Sequence, residues 1–288
     1  MTIGRLGIIG GSGMYGLPEL VDGDQLDIET PFGHTSAPVV SGTIGLTEVL
    51  FIPRHGRGHV FSPTSVPYRA NVYALRELGV THVLSLSAVG SLREELPPRT
   101  LLLPNQIIDR TVSRPRTFFD GGVVAHVGLG DPFCNVWRSA VADAAGEADQ
   151  NLAIDGTYVC IEGPQFSTRA ESEMHRGWNA SVVGMTAMPE ARLAREAGLC
   201  FAMLAMVTDF DVWHDQEEDV TVDIVLSHMA ANGQAAGEIL RQLVAKGLPD
   251  RTCACCRALE GAIMTDRSVV SDEEWSRVAL LIGSERAG

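Results

Sequence analysis

The alternation of hydrophobic and polar positions predicts strands and helices that follow one another along most of the chain. The first apolar run, residues 6–9, is stopped by glycines at 10–13, which is typical of a buried strand entering a tight turn. Pro67 opens a helical pattern that Gly79 closes. Further strands are predicted near 26–28, 48–52, 81–87, 156–161, 181–183 and 199–207, and further helices near 135–145, 189–197, 222–244 and 272–280.

This pattern has no internal repeat and no long Pro- or Ser-rich linker, so it predicts an α/β protein built as one domain. We place the main domain at residues 1–250 and a helical C-terminal appendage, packed on the same domain, at residues 251–288. In the appendage, Ser271 and Glu274 have the spacing of a capping box, which predicts the start of a helix.

The charge of the chain excludes two classes of partner. Its 288 residues include 36 acidic and 22 basic ones, a formal net charge of −14, and the isoelectric point is near 4.9. Nucleic acids and anionic membranes both require clustered cations.

Lys246 is the only lysine, which argues against Schiff-base and P-loop chemistry. No apolar run approaches the roughly 18 residues of a membrane helix and no signal-peptide pattern is present, so we expect a cytoplasmic protein.

The six cysteines are too few and too scattered for a disulfide framework. Three lie in apolar or mixed surroundings, typical of small core residues: Cys134, Cys160 and Cys200. The other three form a cluster near the C-terminus: Cys253, Cys255 and Cys256. A zinc site would need a second ligand pair at finger spacing, and none follows. We therefore expect no metal, and free thiols or a local disulfide in the cluster.

Three predicted strands end in groups that can hold an anion. The loop at 10–13 presents backbone N–H groups and a hydroxyl, Arg54 can grip a phosphate in bidentate fashion with His55 as a further donor, and Ser87 adds another hydroxyl. The glycine loop matches Gly-x-Gly-x-x-Gly only loosely. The next acids, Glu19, Asp22 and Asp24, are not placed like the ribose-binding acid that a nicotinamide cofactor requires about 20 residues on, at the end of a second strand. Each signal alone also fits an ordinary turn or a solvated surface, whereas together they predict an anion site.

Two carboxylates, Asp209 and Asp211, directly follow the apolar strand predicted at 199–207. In an open α/β sheet, ligands bind at this end of a strand. Burial and mutual repulsion would raise the pKa of one of the two carboxyl groups, as a general acid requires.

In order and spacing, these elements resemble the S-methyl-5′-thioadenosine phosphorylase group of the trimeric purine nucleoside phosphorylase family. The resemblance runs from about residue 6 to residue 245. It is carried by Ile9-Gly10-Gly11-Ser12-Gly13, Pro53-Arg54-His55-Gly56, Tyr68-Arg69-Ala70-Asn71, Ser87-Ala88-Val89-Gly90-Ser91-Leu92-Arg93-Glu94, Ile108-Asp109-Arg110-Thr111, Asp131-Pro132-Phe133-Cys134, Glu162-Gly163-Pro164-Gln165-Phe166-Ser167-Thr168-Arg169-Ala170-Glu171, Gly184-Met185-Thr186-Ala187-Met188-Pro189-Glu190 and Thr208-Asp209-Phe210-Asp211. Its Glu-Gly-Pro and Met-Thr-x-x-Pro-Glu elements are the most specific.

The resemblance implies a nucleoside phosphorylase-type domain, with a central mixed β-sheet flanked by helices in three α/β/α layers. It implies a pentosyltransferase that converts S-methyl-5′-thioadenosine, or a related 5′-modified 5′-deoxyadenosine, and inorganic phosphate into adenine and the 5-substituted ribose 1-phosphate. Phosphate is then a co-substrate, and no cofactor is expected. The implied assembly is a homotrimer, or a hexamer made of two trimers, without nucleic-acid or membrane partners.

The same resemblance implies two sets of binding residues. The phosphate site comprises Ser12, Arg54, His55, Ser87, Ala88 and Thr186. The nucleoside site comprises Phe166, Met185, Asp209, Asp211, Val222, Val225, Leu226 and His126. In it, Phe166 lies against the base and the three aliphatic residues form an apolar 5′ pocket, which His126 of a neighbouring subunit completes. Ser167 and Val222 are implied to affect substrate choice. We assign Asp209 as proton donor to purine N7, with Asp211 supporting base recognition.

Several residues depart from the pattern and keep alternatives open. Ser12 and Ser87 stand where many relatives have Thr, and the hydroxyl is kept. Gly184 replaces an Asn of several adenosine-type members, and 6-oxopurine relatives can carry Gly there. A purine nucleoside phosphorylase with broader or 6-oxopurine specificity is therefore the alternative. A nucleosidase of similar fold would not need Arg54 and converging hydroxyls, and a non-catalytic nucleoside sensor would gain nothing from a poised acid.

Overall fold

The computed structural model describes residues 4–11, 23–45, 47–214 and 222–283, except for the side chains of 222–227. The strands are β1 (Arg5–Gly10), β2 (Asp24–Leu26), β3 (Glu29–Thr30), β4 (Gly33–His34), β5 (Val39–Ile44), β6 (Thr47–Pro53), β7 (Val80–Ser91), β8 (Leu101–Leu103), β9 (Gln106–Asp109), β10 (Leu152–Ile154), β11 (Thr157–Cys160), β12 (Val182–Gly184) and β13 (Cys200–Asp209). The helices are α1 (Tyr68–Glu77), α2 (Asn135–Glu147), α3 (Arg169–Gly177), α4 (Ala187–Glu196), α5 (Val222–Lys246) and α6 (Asp272–Ile282), with 3₁₀ turns at Cys255–Arg257 and Arg267–Val269.

Within these residues, eleven strands form one mixed sheet. Eight follow the order β10-β8-β13-β7-β1-β6-β5-β2, and β12 connects β7 to β11 and β9. The central strands β6, β1, β7 and β13 are parallel, whereas β12 runs antiparallel to β7. The C-terminal ends of four adjacent strands therefore meet at one edge of the sheet, where ligands bind in open α/β folds.

Helices cover both faces of this sheet. Along β13, Phe201 and Met203 pack into a core that contains α1 and α4. The alternating residues Ala202 and Leu204 pack into a second core that contains α2 and α5. Because successive side chains of a strand point to opposite faces, this continuous apolar strand serves both cores. The single α/β domain with three layers predicted from the sequence is confirmed.

Local signals explain where several helices begin and end. Pro67 precedes α1, and Gly79 follows it with a φ of 77°, a left-handed conformation that glycine adopts without strain. At the start of α6, the Ser271 hydroxyl accepts a hydrogen bond from the Glu274 N–H, and the Glu274 carboxylate accepts one from the Ser271 N–H. The predicted capping box is thus confirmed.

Other boundaries differ from the sequence prediction. The strand predicted at 26–28 is β2, which ends at Leu26, and the strand predicted at 81–87 continues to Ser91 as β7. The elements β3, β4, β5, β8, β9, β10 and α3 were not predicted. Most of these strands have two to four residues, too few for a period-2 pattern to be recognised.

The C-terminal segment packs against the rest of the domain. Val278, Leu281 and Ile282 of α6 belong to the same core as α1 and α4, and Ile263 forms a β-bridge with Ala125. The domain boundary at residue 250 stays a prediction. None of the helices in the described part of the chain is long and apolar enough to cross a membrane.

Candidate active site

A cavity of about 580 Å³ lies along the C-terminal halves of β7 and β13. Its lining includes these sequence-predicted residues: Arg54, His55, Ser87, Ala88, Phe166, Ser167, Met185, Thr186, Asp209 and Asp211. Ser12 lies outside the described residues, and so do the side chains of Val222, Val225 and Leu226. His126 is exposed and is not part of the described lining of its own chain's cavity.

One end of the cavity presents a set of linked hydroxyl groups. The Ser87 and Thr186 hydroxyl oxygens are 2.9 Å apart, and the Ser87 hydroxyl is 3.3 Å from the Tyr158 hydroxyl. The Thr186 N–H donates to the same Tyr158 hydroxyl at 3.4 Å. Burial raises the pKa of Tyr158 to about 12, so its hydroxyl stays neutral and can either donate or accept. Tyr158 thus holds two predicted phosphate ligands in place.

Arg54 lies in the cavity wall, but its hydrogen bonds differ from the expected bidentate grip on phosphate. Its Nε donates to Glu190 Oε1 at 2.5 Å and its Nη2 to Glu190 Oε2 at 3.3 Å, so the carboxylate occupies the bidentate edge. Nη2 also donates to the Ser85 hydroxyl at 2.8 Å. Burial opposes the charge, but Glu190 outweighs it and raises the pKa of Arg54.

One N–H of Arg54 remains for an anion. Nη1 donates to the Leu86 carbonyl at 3.0 Å, which uses one of its two hydrogens, and no second acceptor is found among the described residues. Because Glu190 balances the Arg54 charge, this end of the cavity must hold an anion largely through oriented dipoles. The assignment of Arg54 to a phosphate site stays a prediction. The expected bidentate geometry is not observed, because the sequence does not show that Glu190, 136 positions away, takes that edge.

At neutral pH, His55 can offer an anion only an acceptor nitrogen, Nε2, rather than the expected donor. Its Nδ1 is 2.9 Å from the Phe61 carbonyl oxygen. A carbonyl can only accept, so Nδ1 carries the proton. Burial, and then the charge of Arg54, lower the pKa of His55 to about 4, which leaves Nε2 unprotonated at pH 7. That nitrogen can accept a hydrogen bond from a protonated phosphate oxygen.

The other end of the cavity holds the two predicted carboxyl groups. Asp209 is 9% exposed and Asp211 is 6% exposed, and burial is the main cause that raises the pKa of both. Asp209 Oδ2 accepts from the Thr208 hydroxyl at 2.7 Å, and Oδ1 accepts from the Asp211 N–H at 2.8 Å. Both Asp209 oxygens are therefore fixed in orientation.

Asp211 has an unused oxygen. Its Oδ2 makes no hydrogen bond of standard geometry within the described residues, and neither does the buried hydroxyl of Ser167. The Ser172 and Ser167 hydroxyls nevertheless lie close enough to the Asp211 carboxyl group to oppose the pKa increase that burial causes. Both residues line the cavity. Asp211 adopts a φ of 53°, in the left-handed region that aspartate tolerates better than most residues. Buried polar groups without protein partners in a cavity are groups that a ligand can satisfy.

Two motif segments are joined beneath the cavity by Arg114. Its guanidinium donates to the carbonyls of Met185, Met188 and Glu162, each at 2.6 Å. Burial opposes ionisation of Glu162, but hydrogen bonds from Thr64 and neighbouring groups lower its pKa to about 2. The Glu-Gly-Pro and Met-Thr-x-x-Pro-Glu segments thus form one rigid wall, and Phe166, 45% exposed, lies at its outer end.

Sequence reasoning missed several residues that shape the site: Ser85, Tyr158, Glu190, Thr208 and His228. Glu190 ends the Met-Thr-x-x-Pro-Glu element, but the element itself does not show that its carboxylate pairs with Arg54. Thr208 precedes the Asp pair, and its carbonyl oxygen is 2.5 Å from His228 Nδ1. Tyr158 lies in an ordinary apolar strand, β11, and the sequence gives no signal for it.

Comparisons with known proteins agree with this fold. The model of the phosphorylase superfamily matches residues 5–245. The S-methyl-5′-thioadenosine phosphorylase of Koribacter versatilis is 46% identical over 279 residues, which cover 97% of this chain and 96% of that protein. A methylthioadenosine phosphorylase from an antarctic soil metagenomic library superposes with a TM-score of 0.90 at 43% identity, covering 98% of this chain and 100% of that one.

The methylthioadenosine phosphorylase of Schistosoma mansoni in complex with adenine superposes with a TM-score of 0.84 at 38% identity, covering 93% of this chain and 99% of that one. The family resemblance inferred from the motifs is therefore confirmed. The chain belongs to the phosphorylase superfamily and, within it, to the S-methyl-5′-thioadenosine phosphorylase family.

Proposed function

We propose that this protein catalyses the phosphorolysis of S-methyl-5′-thioadenosine, or of a closely related 5′-modified 5′-deoxyadenosine. Inorganic phosphate is the co-substrate, no cofactor takes part, and the products are adenine and the 5-substituted ribose 1-phosphate. One observation carries the proposal: a single cavity has linked hydroxyls and an Arg54 N–H at one end and two buried carboxyl groups at the other. Its relatives' names agree with this activity.

The phosphate end suits a monoprotonated phosphate dianion. Ser87, Thr186 and the remaining Arg54 N–H donate to its oxygens, whereas His55 Nε2 accepts from its P–OH group. A phosphate oxygen then bonds to C1′ while the C1′–N9 bond breaks, and the bonding electron pair moves to the purine. The nucleophile belongs to the substrate, so the protein supplies position and electrostatic stabilisation.

The carboxyl end suits the departing base. Adenine presents N7 as an acceptor and its 6-amino group as a donor. Asp209, whose pKa is raised, donates a proton to N7, and the unused oxygen of Asp211 accepts from the 6-amino group. A 6-oxo group would place an acceptor against a carboxylate, which disfavours inosine-type substrates.

The proposal also covers the oligomeric state and the metabolic role of the enzyme. We place the enzyme in a homotrimer, with a dimer of trimers as the alternative, in which His126 reaches a neighbour's 5′ pocket. The reaction returns adenine to the purine pool and a thio-sugar phosphate to methionine salvage. The cytoplasmic location expected from the sequence stays a prediction.

Purine release from methylthioadenosine, adenosine and methylthioinosine, each measured with and without phosphate, tests the proposal. We expect release to require phosphate, to yield a pentose 1-phosphate, and to be fastest with methylthioadenosine. Free pentose at an unchanged rate in phosphate-free buffer would identify a nucleosidase instead. A preference for methylthioinosine would identify the 6-oxopurine alternative.

Phosphate contacts are best tested by hydroxyl deletions, since Arg54→Ala would leave Glu190 buried without its partner. Thr186→Ala should raise the KM for phosphate roughly 10–100-fold, because a hydrogen bond to a charged group contributes about 1.5–3 kcal/mol. Ser276→Ala, on the exposed surface of α6, is the matched control and should leave this KM unchanged.

A further inference from the structure

Four cysteines from distant parts of the chain meet inside the domain. Cys134 immediately precedes α2, Cys200 begins β13, and Cys253 and Cys255 lie in the segment that follows α5. Their four Sγ atoms all lie within 4.8 Å of one another. The Sγ atoms of Cys200 and Cys253 are 3.4 Å apart, although 53 positions separate them in sequence.

This spacing is that of ligands around one ion. Zinc binds thiolate sulfur at about 2.3 Å, so the sulfurs of a tetrahedral Cys₄ site are about 3.8 Å apart. The observed separations bracket this value. We propose that Cys134, Cys200, Cys253 and Cys255 bind one zinc ion as a closed structural site.

The surroundings fit a structural rather than a catalytic ion. Cys134, Cys200 and Cys255 are 1–4% exposed, and Cys253 is partly buried. In the part of the chain that the structure describes, no cysteine of the cluster lines the nucleoside cavity. Four protein ligands leave no open coordination position for water or substrate, which is the property of structural zinc sites.

Groups near the cluster can also balance the charge of a zinc site. Four thiolates with one Zn²⁺ carry a net charge of −2, which buried surroundings must balance. The Arg195 guanidinium lies within electrostatic range of Cys255, and the Arg251 guanidinium donates to the Gly198 carbonyl, two residues before Cys200. Cys134 occupies the N-cap position of α2, where the helix dipole favours a negative charge.

The fold brings a second ligand pair, Cys134 and Cys200, to the Cys-x-Cys pair of the C-terminal segment. In sequence this second pair lies before the Cys-x-Cys pair, not after it at finger spacing, and the apolar neighbours of Cys134 and Cys200 are those of ordinary core residues. The site joins the C-terminal segment to the start of β13 and the start of α2. This segment in turn holds the 124–126 loop, because His126 N–H donates to the Ala262 carbonyl at 2.8 Å.

Metal analysis of the full-length protein, purified without chelators or a histidine tag, tests the proposal directly. We expect about one zinc per chain, and an about tenfold or greater loss of bound zinc in Cys255→Ser, because each thiolate is needed for a closed tetrahedral site. Cys256→Ser is the matched control: Cys256 is exposed and adjacent but lies outside the cluster, so this variant should retain its zinc.

Cobalt exchange provides a readout that does not depend on the variants folding. Protein produced with cobalt in place of zinc should show the intense visible bands of tetrahedral cobalt–thiolate coordination. Protein that holds no zinc or cobalt and has four freely titrating cluster thiols would overturn the proposal. So would two disulfides within the cluster, detected by mass spectrometry under non-reducing conditions. These outcomes are independent of phosphorolysis, so the proposed function and the zinc site can fail separately.

Discussion

Asp209 and Asp211 differ in how many of their carboxyl oxygens the fold already uses. Thr208 lies 2.7 Å from Asp209 Oδ2 and 3.3 Å from the Val89 carbonyl oxygen, so its hydroxyl has two acceptors within reach. It can donate to Asp209 when that group is ionised and to Val89 when it is protonated. Asp209 is therefore supported in both states of a proton-transfer cycle, whereas Asp211 keeps one oxygen for the base.

This difference predicts separate effects of two isosteric substitutions. Asp209→Asn should lower kcat roughly 10²–10⁴-fold, the usual effect of losing a general acid. Asp211→Asn should mainly raise the KM for adenine nucleosides and reduce their preference over inosine nucleosides. Steady-state kinetics on both substrate types measure this. Equal losses of kcat in the two variants would contradict the assigned roles.

A second prediction concerns Gly184, the last residue of β12. A Cβ at this position would overlap the Tyr158 hydroxyl and lie 2.6 Å from its Cζ. Gly184→Ala should therefore displace Tyr158, destabilise the fold by about 1–3 kcal/mol, and raise the KM for phosphate, because Tyr158 holds Ser87 and Thr186.

The control is the same substitution in a Tyr158→Leu background, where the destabilisation by Gly184→Ala should shrink. Denaturant unfolding and phosphate KM, measured for both single variants and the double variant, give the coupling energy. Additive effects would show that Tyr158 does not require a glycine at position 184.

For individual residues of the site, the sequence predicts which residue types are present better than it predicts which groups they contact. The Asp pair and the serine and threonine hydroxyls could be predicted because motif and strand end coincide. The Arg54–Glu190 ion pair and Tyr158 could not, because each depends on the register between segments that are far apart in sequence. The tautomer of His55 was inaccessible for the same reason, since the Phe61 carbonyl decides it.

Among the elements, the long apolar strands could be predicted from the sequence, but the strands that pair with them in the sheet could not. β1, β6, β7 and β13 have enough apolar residues for the pattern to be read, but nothing in the pattern shows that they lie side by side. Helix α3 could also have been predicted, because Thr168 and Glu171 form a capping box at its start. The same pattern predicts α6.

The C-terminal end of α4 carries a pH-sensitive contact. Glu196 accepts hydrogen bonds from the Thr117 hydroxyl at 2.7 Å and the Phe118 N–H at 2.8 Å. Burial is nevertheless the larger effect and raises the pKa of Glu196 to about 7, from 4.5. Because the folded-state pKa is raised, the protonated carboxyl stabilises the fold below pH 4.5, and this stabilisation is lost as pH rises through 7.

We predict that this group alone changes the free energy of unfolding by about 3 kcal/mol across that range. Glu196→Gln, which cannot ionise, should remove this part of the pH dependence whatever its effect on absolute stability. Denaturant titrations of both proteins at about pH 5 and pH 8 measure how much the free energy of unfolding of each protein changes between the two pH values. Parallel pH profiles would show that Glu196 titrates normally.

For the molecule as a whole, the C-terminal segment connects the core to the surface that carries His126. The Ala125–Ile263 bridge and the bond from the Met264 N–H to the Val124 carbonyl at 2.9 Å fix the 124–126 loop. His126 is exposed on this loop and is absent from the described cavity lining of its own chain. Such a position suits a residue that acts in a neighbouring subunit, as the family resemblance implies.

Mixing two impaired variants tests this arrangement. His126→Ala should lower kcat/KM for methylthioadenosine roughly tenfold or more, by removing one wall of the apolar 5′ pocket, and Asp209→Asn should abolish most turnover. If His126 serves a neighbour's site, a site in a hybrid oligomer is complete when a His126→Ala chain supplies Asp209 and the neighbouring Asp209→Asn chain supplies His126. In an equal, random mixture each condition is met about half of the time, so about a quarter of all sites in a cyclic trimer are complete. Activity should then rise when the variants are unfolded and refolded together, and not when they are refolded apart. If His126 serves its own chain, co-refolding restores nothing, since no subunit carries both intact groups.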